Sequence, residues 1–352
     1  MKVGIVGGNG QVGTELAVLL RADGHTVVPI VRSRRAGAFL GYHGFDCRIG
    51  DVTDRKDASR LLEDVDIVVI AAYASASSRN VLGYKEAWQT NTAIVKNCVA
   101  ESPNRATLIY FSTVSAFGNE RYSSLLKGRL NHYTISKRSL EKKFLDAARD
   151  AGKDGYALRL GYVQGPLQSK TRHIKQYLSE FEKVVVKTEQ DAGSNVVHTV
   201  TIKDAIEKCG RTAIEPGRYT LINNPRWTWG DVFDYYCPPN VTLEYRLSSN
   251  ATFGSKLMKS IVDRGSGFLI DQKDKLMSFQ LLLPTFLNER IVYRYQREVA
   301  MSRLRDFDFE RTTTFSIPEF EAEPVPGPFI NGLDRTDESL ELEAKIKRLL
   351  EE

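Results

Sequence analysis

The chain has 352 residues, a length that suits two domains or one large α/β unit with a sizeable core. Its 49 Lys and Arg and 44 Asp and Glu give a net charge of +5, and their scatter along the chain argues against nucleic-acid or membrane partners. The 4 cysteines have no metal-ligand spacing, and no apolar run reaches the roughly 20 residues of a membrane span, so we expect a reduced, cytoplasmic protein without a metal site.

The first half of the chain alternates short apolar runs with helical patterns. The apolar runs predict strands at residues 3–6, 26–31, 45–49, 66–72, 107–112 and 156–161. Apolar residues at helical spacing predict helices at residues 11–22, 58–62, 81–101 and 133–148. Apolar strands separated by helices indicate a parallel sheet covered on both faces, here a Rossmann-type doubly wound α/β fold.

The pattern changes after residue 165. It predicts helices at residues 173–181 and 204–213, and strands at residues 184–187, 197–202 and 219–222. Further on it predicts a helix at 287–304, a proline-rich irregular segment at 317–328 and a charged helix at 339–350. We therefore expect a large domain at 1–165 to which 198–224 returns, a smaller, mostly C-terminal domain from 166–197 and 225–330, and a helical tail at 331–352.

A glycine-rich loop joins the first strand to the first helix. In this position Gly7 permits a tight turn, Gly10 lets the backbone approach a pyrophosphate, and Gly13 lets the helix pack closely on the strand. The helix N-terminus adds unsatisfied N–H groups and the positive end of its dipole. The loop predicts a dinucleotide site, with a plain strand–helix turn as the alternative. Its candidate cofactor residues are Gly7, Asn9, Gly10, Gln11, Val12 and Gly13.

The end of the second strand is basic. NAD-binding folds of this kind carry an acidic residue there for the adenosine ribose, whereas this chain has Arg32, Ser33 and Arg35. An arginine can bind a 2′-phosphate bidentately and stack on adenine. Arg32 is the first candidate, with Ser33 and Arg35 as helpers, so the sequence favours NADP over NAD. The alternative is a group of ordinary surface arginines.

Tyr133 and Lys137 stand four residues apart on a predicted helix and therefore share one face. A lysine ammonium beside a phenol favours the phenolate, which would lower a pKa that is ordinarily near 10. This pair predicts that Tyr133 transfers a proton near neutral pH. Lys137 is also a candidate for binding the nicotinamide ribose.

Together these motifs resemble the extended short-chain dehydrogenase/reductase family, which contains NAD-dependent epimerases, dehydratases and reductases, over about residues 1–236. The resemblance implies that the large domain binds NAD(P), that the smaller domain binds a small-molecule substrate, and that the protein is a homodimer. It implies further site residues, in chain order: Asp51 and Val52 at the adenine, Ala71 and Ala72 beside the cofactor, the supporting Asn91, the catalytic Thr113, and Tyr162 at the nicotinamide.

Departures from the family pattern narrow the expected reaction. Val114 and Ser115 stand where the family's dehydratases carry acids, which disfavours elimination of water. We expect NADPH-dependent reduction of a ketone on a sugar-like metabolite, nucleotide sugars included, by Thr113, Tyr133 and Lys137. The alternatives are an NAD-dependent nucleotide-sugar epimerase and a catalytically silent NADP-sensing binding protein.

Three further aromatic residues are interpreted as structural. His198 lies in an apolar segment, and Trp227 and Trp229 fit the core of the smaller domain.

Overall fold

The computed structural model describes residues 1–75, 84–117, 132–187, 190–191, 193–223, 227–245 and 314–316. Its strands are β1 (Lys2–Val6), β2 (Thr26–Val31), β3 (Arg48–Ile49), β4 (Ile67–Ile70), β5 (Thr107–Thr113), β6 (Gly155–Leu160), β7 (Tyr162–Gln164), β8 (Lys183–Lys187), β9 (Val196–His198), β10 (Gly217–Leu221), β11 (Thr242–Tyr245) and β12 (Thr314–Ser316). Its α-helices are α1 (Gln11–Ala22), α2 (Ala38–Tyr42), α3 (Arg55–Leu62), α4 (Tyr84–Glu101), α5 (His132–Asp150), α6 (Ser169–Glu180), α7 (Thr199–Gly210) and α8 (Trp229–Tyr236). A 3₁₀ helix spans Val114–Phe117.

Seven parallel strands form the main sheet, in the spatial order β10-β6-β5-β4-β1-β2-β3. The chain order reverses between β1 and β4, because β2 and β3 extend the sheet on one side of β1 and β4, β5 and β6 extend it on the other. In open α/β sheets such a reversal leaves a crevice at the carboxyl ends of the strands. The Rossmann-type doubly wound sheet predicted from the sequence is confirmed.

The alternation of side chains between the two faces of the sheet explains why the strands are apolar throughout. In β1, Val3 and Ile5 belong to one hydrophobic core while Val6 belongs to the other. Likewise Val69 of β4 faces the first core and Val68 the second. Side chains of a strand point alternately to the two faces of a sheet, so a sheet buried on both faces needs apolar residues at every position. The packing of α1 against α7 covers one face, and α3, α4 and α5 pack in series on the other.

The strand predicted at residues 197–202 is wrong beyond His198. The strand β9 ends there, and α7 begins at Thr199. Two β-branched residues that suggested a strand instead hydrogen-bond to distant side chains: Thr199 Oγ1 donates to the buried Glu15 carboxylate at 2.5 Å, and Thr201 Oγ1 donates to Asn223 Oδ1 at 2.9 Å. Tertiary partners therefore override the local β propensity in this segment.

Two small sheets lie outside the main one. β7 pairs with β9, and β8 pairs with both β11 and β12, all in parallel. A third hydrophobic core underlies them, in which Trp229 is fully buried and Trp227 is partly buried, as the structural interpretation of these residues predicts. The segments at 287–304, 317–328 and 339–350 lie outside the described residues. In the part of the chain that is described, no helix is long and apolar enough to cross a bilayer.

Candidate active site

The glycine loop is built by close backbone packing. Gly7 has a φ of +84°, and a Cβ on it would lie 2.8 Å from the backbone of Ala72. A Cβ on Gly13 would lie 2.5 Å from the Gly7 carbonyl oxygen. At Gly10, among the described atoms, a Cβ would have only that carbonyl oxygen within 4 Å, at 3.3 Å. Backbone packing therefore requires glycine at positions 7 and 13. At Gly10 the absence of a side chain leaves open space in which a ligand could approach the protein backbone.

A cavity of about 630 Å³ opens at the carboxyl ends of the central strands. Gly7, Asn9 and Gly10 line it on the side of the glycine loop, and Ala71 and Ala72 line it at the end of β4. This volume falls within the range of about 300–1,000 Å³ that is typical of small-molecule and cofactor sites. The cavity therefore fits a dinucleotide whose phosphates approach the N-terminus of α1.

The side of the cavity beyond β2 and β3 is polar. Arg32, Asp51, Val52 and Thr53 line it. Arg32 is exposed, and the Asp51 carboxylate accepts hydrogen bonds from the Thr53 backbone N–H at 2.9 Å and the Thr53 hydroxyl at 2.8 Å. An exposed arginine thus stands at the cavity wall.

The other predicted cofactor residues lie elsewhere. Among the described residues, the cavity lining does not include Gln11, Val12 and Gly13, which begin α1, nor Ser33, Arg35 and Tyr162. Ser33 Oγ accepts a hydrogen bond from the Ala36 N–H at 3.2 Å, and the Tyr162 ring packs edge-on against Trp229 at 5.2 Å. Their proposed cofactor contacts stay predictions.

Two asparagines of α4 hold the cavity walls in place. Asn91 exchanges two hydrogen bonds of 2.8 Å with the backbone of Ala74, which lines the cavity after β4. Asn97 donates from Nδ2 to the carbonyl oxygens of Val52 at 3.0 Å and Thr53 at 2.8 Å. Asn91 matches its supporting role in the resemblance, whereas Asn97 was not singled out from the sequence, since its partners come from a segment more than 40 residues away.

Asn97 provides a sharp test of this wall. Asn97→Ala leaves two carbonyl oxygens without their donor and is expected to lower the free energy of unfolding by about 1–3 kcal/mol. The isosteric Asn97→Asp turns a carboxylate toward the same two oxygens and is expected to cost about 3–5 kcal/mol. Urea unfolding of the wild type and the two variants measures their order of stability. An Asn97→Asp variant as stable as Asn97→Ala would contradict the assigned donor role.

Lys137 lies within α5 in a mostly apolar enclosure. Its ammonium donates to the Phe111 carbonyl oxygen at 2.7 Å, and its Nζ lies 4.5 Å from the ring centroid of Tyr73 and 5.0 Å from that of Tyr110. Burial lowers the pKa of Lys137 to about 7, and the negative charge of Glu141 acts in the opposite direction. Lys137 can therefore change its protonation state near neutral pH.

Tyr133 is the exposed member of the site. It is 39% exposed, and its ring packs edge-on against Tyr73 with centroids 5.2 Å apart. Thr113 ends β5, two residues after the carbonyl that Lys137 binds. The end of β5 and the first turns of α5 thus bring Thr113, Tyr133 and Lys137 to the same region, next to Tyr73, whose contact with Lys137 the sequence did not predict.

A buried ion pair lies one helical turn beyond Lys137. The Glu141 carboxylate is fully buried and accepts two hydrogen bonds of 3.0 Å from the Arg159 guanidinium of β6. Arg218 of β10 forms a second ion pair with it. These contacts anchor α5 to the sheet and fix the turn of helix that carries Lys137.

His198 is buried at the N-terminus of α7, where its backbone N–H donates to Asn223 Oδ1 at 2.8 Å. Burial, with a further contribution from the charge of Lys175, lowers its pKa to about 4. The imidazole is therefore neutral at physiological pH, which agrees with a structural role.

A doubly wound parallel sheet, a glycine loop opening a helix and a cavity at the strand ends define a Rossmann-type dinucleotide-binding protein. Residues 3–213 match the NAD dependent epimerase/dehydratase family. The chain belongs to this family and is an NAD(P)-dependent oxidoreductase or epimerase, which confirms the resemblance found in the sequence.

Solved structures share the fold at low identity. UDP-N-acetylglucosamine 4-epimerase from Bacillus cereus is 18% identical, with a TM-score of 0.54 over 71% of this chain and 87% of that chain. The Bordetella bronchiseptica enzyme WbmH, in complex with NAD⁺, is 22% identical, with a TM-score of 0.52 over 71% and 86%. A dTDP-4-dehydrorhamnose reductase from Clostridium acetobutylicum is 17% identical, with a TM-score of 0.52 over 70% and 84%.

One curated relative matches part of the chain. The photosystem II assembly factor Ycf39 of Synechocystis is 38% identical over 77 residues, which are 22% of this chain and 24% of that protein.

Proposed function

We propose that this protein is an NADPH-dependent reductase that converts a ketone on a sugar-like metabolite into an alcohol. The observation that carries the proposal is the cavity that the glycine loop, Arg32 and Tyr73 line together. Its far wall, Tyr73, contacts both Tyr133 and Lys137, so a dinucleotide in the cavity would extend toward the candidate proton donor. When bound, the nicotinamide supplies the hydride, and the protein supplies placement and the proton.

Three side chains have distinct roles in the proposal. The hydroxyl of Thr113 orients the substrate oxygen, and Tyr133 donates the proton that the reduced oxygen needs. The exposure of Tyr133 supports this role, because a proton donor must be accessible to the substrate. Lys137 lies four residues further along the same helix. Its charge changes near neutral pH, because burial lowers its pKa to about 7.

NADP is proposed over NAD because of Arg32. Its guanidinium is exposed at the cavity wall after β2, where a 2′-phosphate on the adenosine ribose would meet a cation. The Asp51 carboxylate on the same wall has its oxygen Oδ1 occupied by Thr53. Arg32 is therefore the basic group on this wall that we propose selects the cofactor.

Removing the Arg32 guanidinium tests this choice. Arg32→Ala is expected to weaken NADPH binding by about 10- to 100-fold, since charge-assisted hydrogen bonds contribute about 1.5–3 kcal/mol, and to leave NADH binding nearly unchanged. Dissociation constants from nucleotide fluorescence measure both. Arg34→Ala is the matched control, because Arg34 is an equally exposed neighbour that does not line the described cavity. An equal loss for both nucleotides would contradict the assignment.

The reaction itself is tested by cofactor consumption. A panel of keto-sugars and nucleotide-linked keto-sugars is incubated with the protein and NADPH, and oxidation is followed at the nicotinamide absorbance. A reductase consumes one NADPH per product, whereas the epimerase alternative converts substrate with no net consumption. The silent, NADP-sensing alternative would bind NADPH and convert nothing, although the presence of both Tyr133 and Lys137 argues against it.

A further inference from the structure

Tyr73 stands at the boundary between the cavity and the catalytic helix. It lines the cavity after β4, and its ring also contacts Lys137 and Tyr133. Among the described residues, Lys137, Tyr133 and Thr113 do not line the cavity. Tyr73 is therefore a described residue that belongs both to the cavity lining and to the surroundings of the Lys137 amine.

The remaining surroundings of Lys137 come from the protein interior. Tyr110 and the Phe111 carbonyl approach from β5, and Glu141 faces Lys137 from the next turn of α5, with Arg159 and Arg218 bound to its carboxylate. Tyr110 is almost fully buried in the second core, so that side of the enclosure is closed by packing. Among the described residues around Lys137, Tyr73 is thus the one that also lines the cavity.

Tyr73 is held in this position at both its edge and its face. Its hydroxyl forms a side-chain hydrogen bond with the buried Ser136, while burial raises its pKa, so the phenol stays neutral at physiological pH. Its face lies over the Lys137 ammonium at a distance typical of a cation–π contact.

We infer that Tyr73 is a positioning residue that keeps the Lys137 amine out of contact with the water of the dinucleotide cavity. An ammonium cut off from water loses hydration, which favours the neutral amine. Tyr73 would then set the pH above which Lys137 loses its charge, and with it the upper pH limit of proton transfer by Tyr133. The inference deepens the proposed function and rests on the role proposed there for Lys137.

The titration of the Lys137 amine tests the inference directly. Ligand-free protein with isotope-labelled lysines is titrated between pH 6 and pH 9.5, and the side-chain resonances of Lys137, assigned with Lys137→Met, are followed by NMR. The chemical shift reports the charge of the enclosed amine itself, so the wild-type midpoint should lie at about pH 7, given the pKa of about 7. In Tyr73→Ala water reaches the ammonium, and the midpoint should rise by at least about one pH unit.

Two further variants separate the ring from other effects. Tyr73→Phe retains the ring and should keep a midpoint close to the wild-type value. Tyr73→Leu retains apolar cover without a π face, so its midpoint should stay at or below the wild-type value. A wild-type midpoint in Tyr73→Ala would overturn the inference, as would an equal rise in all three variants.

Lys153 is an internal reference in the same samples. It is a second buried lysine, and its ammonium binds the carbonyl oxygens of Val99 and Ser102, away from Tyr73. Its midpoint should not change, and a rise at Lys153 as large as that at Lys137 in Tyr73→Ala would overturn the inference, because it would show a general loosening of that variant. The titration needs no cofactor or substrate, so its failure is separate from a failure of NADPH consumption, which tests the proposed function.

Discussion

Tyr133→Phe is expected to lower NADPH-dependent turnover by about 10²- to 10⁴-fold, because it removes the proton that the reduced substrate oxygen must receive. The side chain is 39% exposed, so the loss of its hydroxyl should change neither the fold nor the edge-on packing of its ring against Tyr73. The NADPH dissociation constant should stay within about threefold of the wild-type value, since the change affects the transition state alone. Steady-state kinetics and fluorescence titration measure the two quantities.

Tyr219→Phe is the control for this experiment. Tyr219 lies on the sheet-edge strand β10 and does not line the described cavity, and its hydroxyl donates to the carbonyl oxygen of Glu215, which precedes that strand. It should have wild-type turnover. Full activity in Tyr133→Phe would remove Tyr133 from the mechanism while leaving the cofactor assignment in place.

Lys137→Met is expected to abolish turnover and, at pH 7, to raise the free energy of unfolding by about 2 kcal/mol, because a desolvated ammonium is replaced by an apolar chain of similar length. The pKa of Lys137 is about 7 in the folded protein and about 10.4 in an unfolded chain. Between these values the unfolded state binds a proton that the folded state lacks, so wild-type stability rises with pH across this window. Below pH 7 the full cost of the buried charge is present.

The difference in the free energy of unfolding between Lys137→Met and the wild type should therefore shrink as the pH rises from 7 to 10. Urea unfolding at unit pH intervals measures it. Lys153→Met is the control and is expected to lower the free energy of unfolding. It removes the donor from three acceptors: the Val99 carbonyl, the Ser102 carbonyl and the Ser102 hydroxyl. A Lys137→Met variant that is less stable than the wild type at pH 7 would show that the ammonium stabilises the fold.

Activity and stability are thus expected to oppose each other at Lys137. Burial brings the pKa of the lysine close to neutral pH and at the same time lowers the free energy of unfolding. Such a trade-off is common in active sites. The buried Glu141 carboxylate does not depend on Lys137 for a partner, since Arg159 and Arg218 both bind it. Removal of the lysine therefore leaves no unpaired charge behind.

The sheet and the glycine loop could be predicted from the amino-acid sequence, because both depend on local residue patterns. Strands buried on both faces must be apolar at every position, and this is visible without knowledge of their partners. A positive φ at Gly7 and the contact between Gly13 and the Gly7 carbonyl follow from the short spacing of the loop. The family, the fold class and the placement of Gly7, Gly10 and Arg32 on one cavity were all within reach of this reasoning.

Which side chains surround the candidate active site depends on the tertiary structure and could not be predicted from the sequence. Thr199 begins a helix because Glu15, 184 residues earlier, accepts its hydroxyl, and Asn97 holds a wall 44 and 45 residues away. Tyr73 follows the apolar strand predicted at residues 66–72, and the fold places its ring over Lys137. Such contacts join segments whose spacing along the chain carries no signal, so their energetics emerge only when the sheet brings the strand ends together.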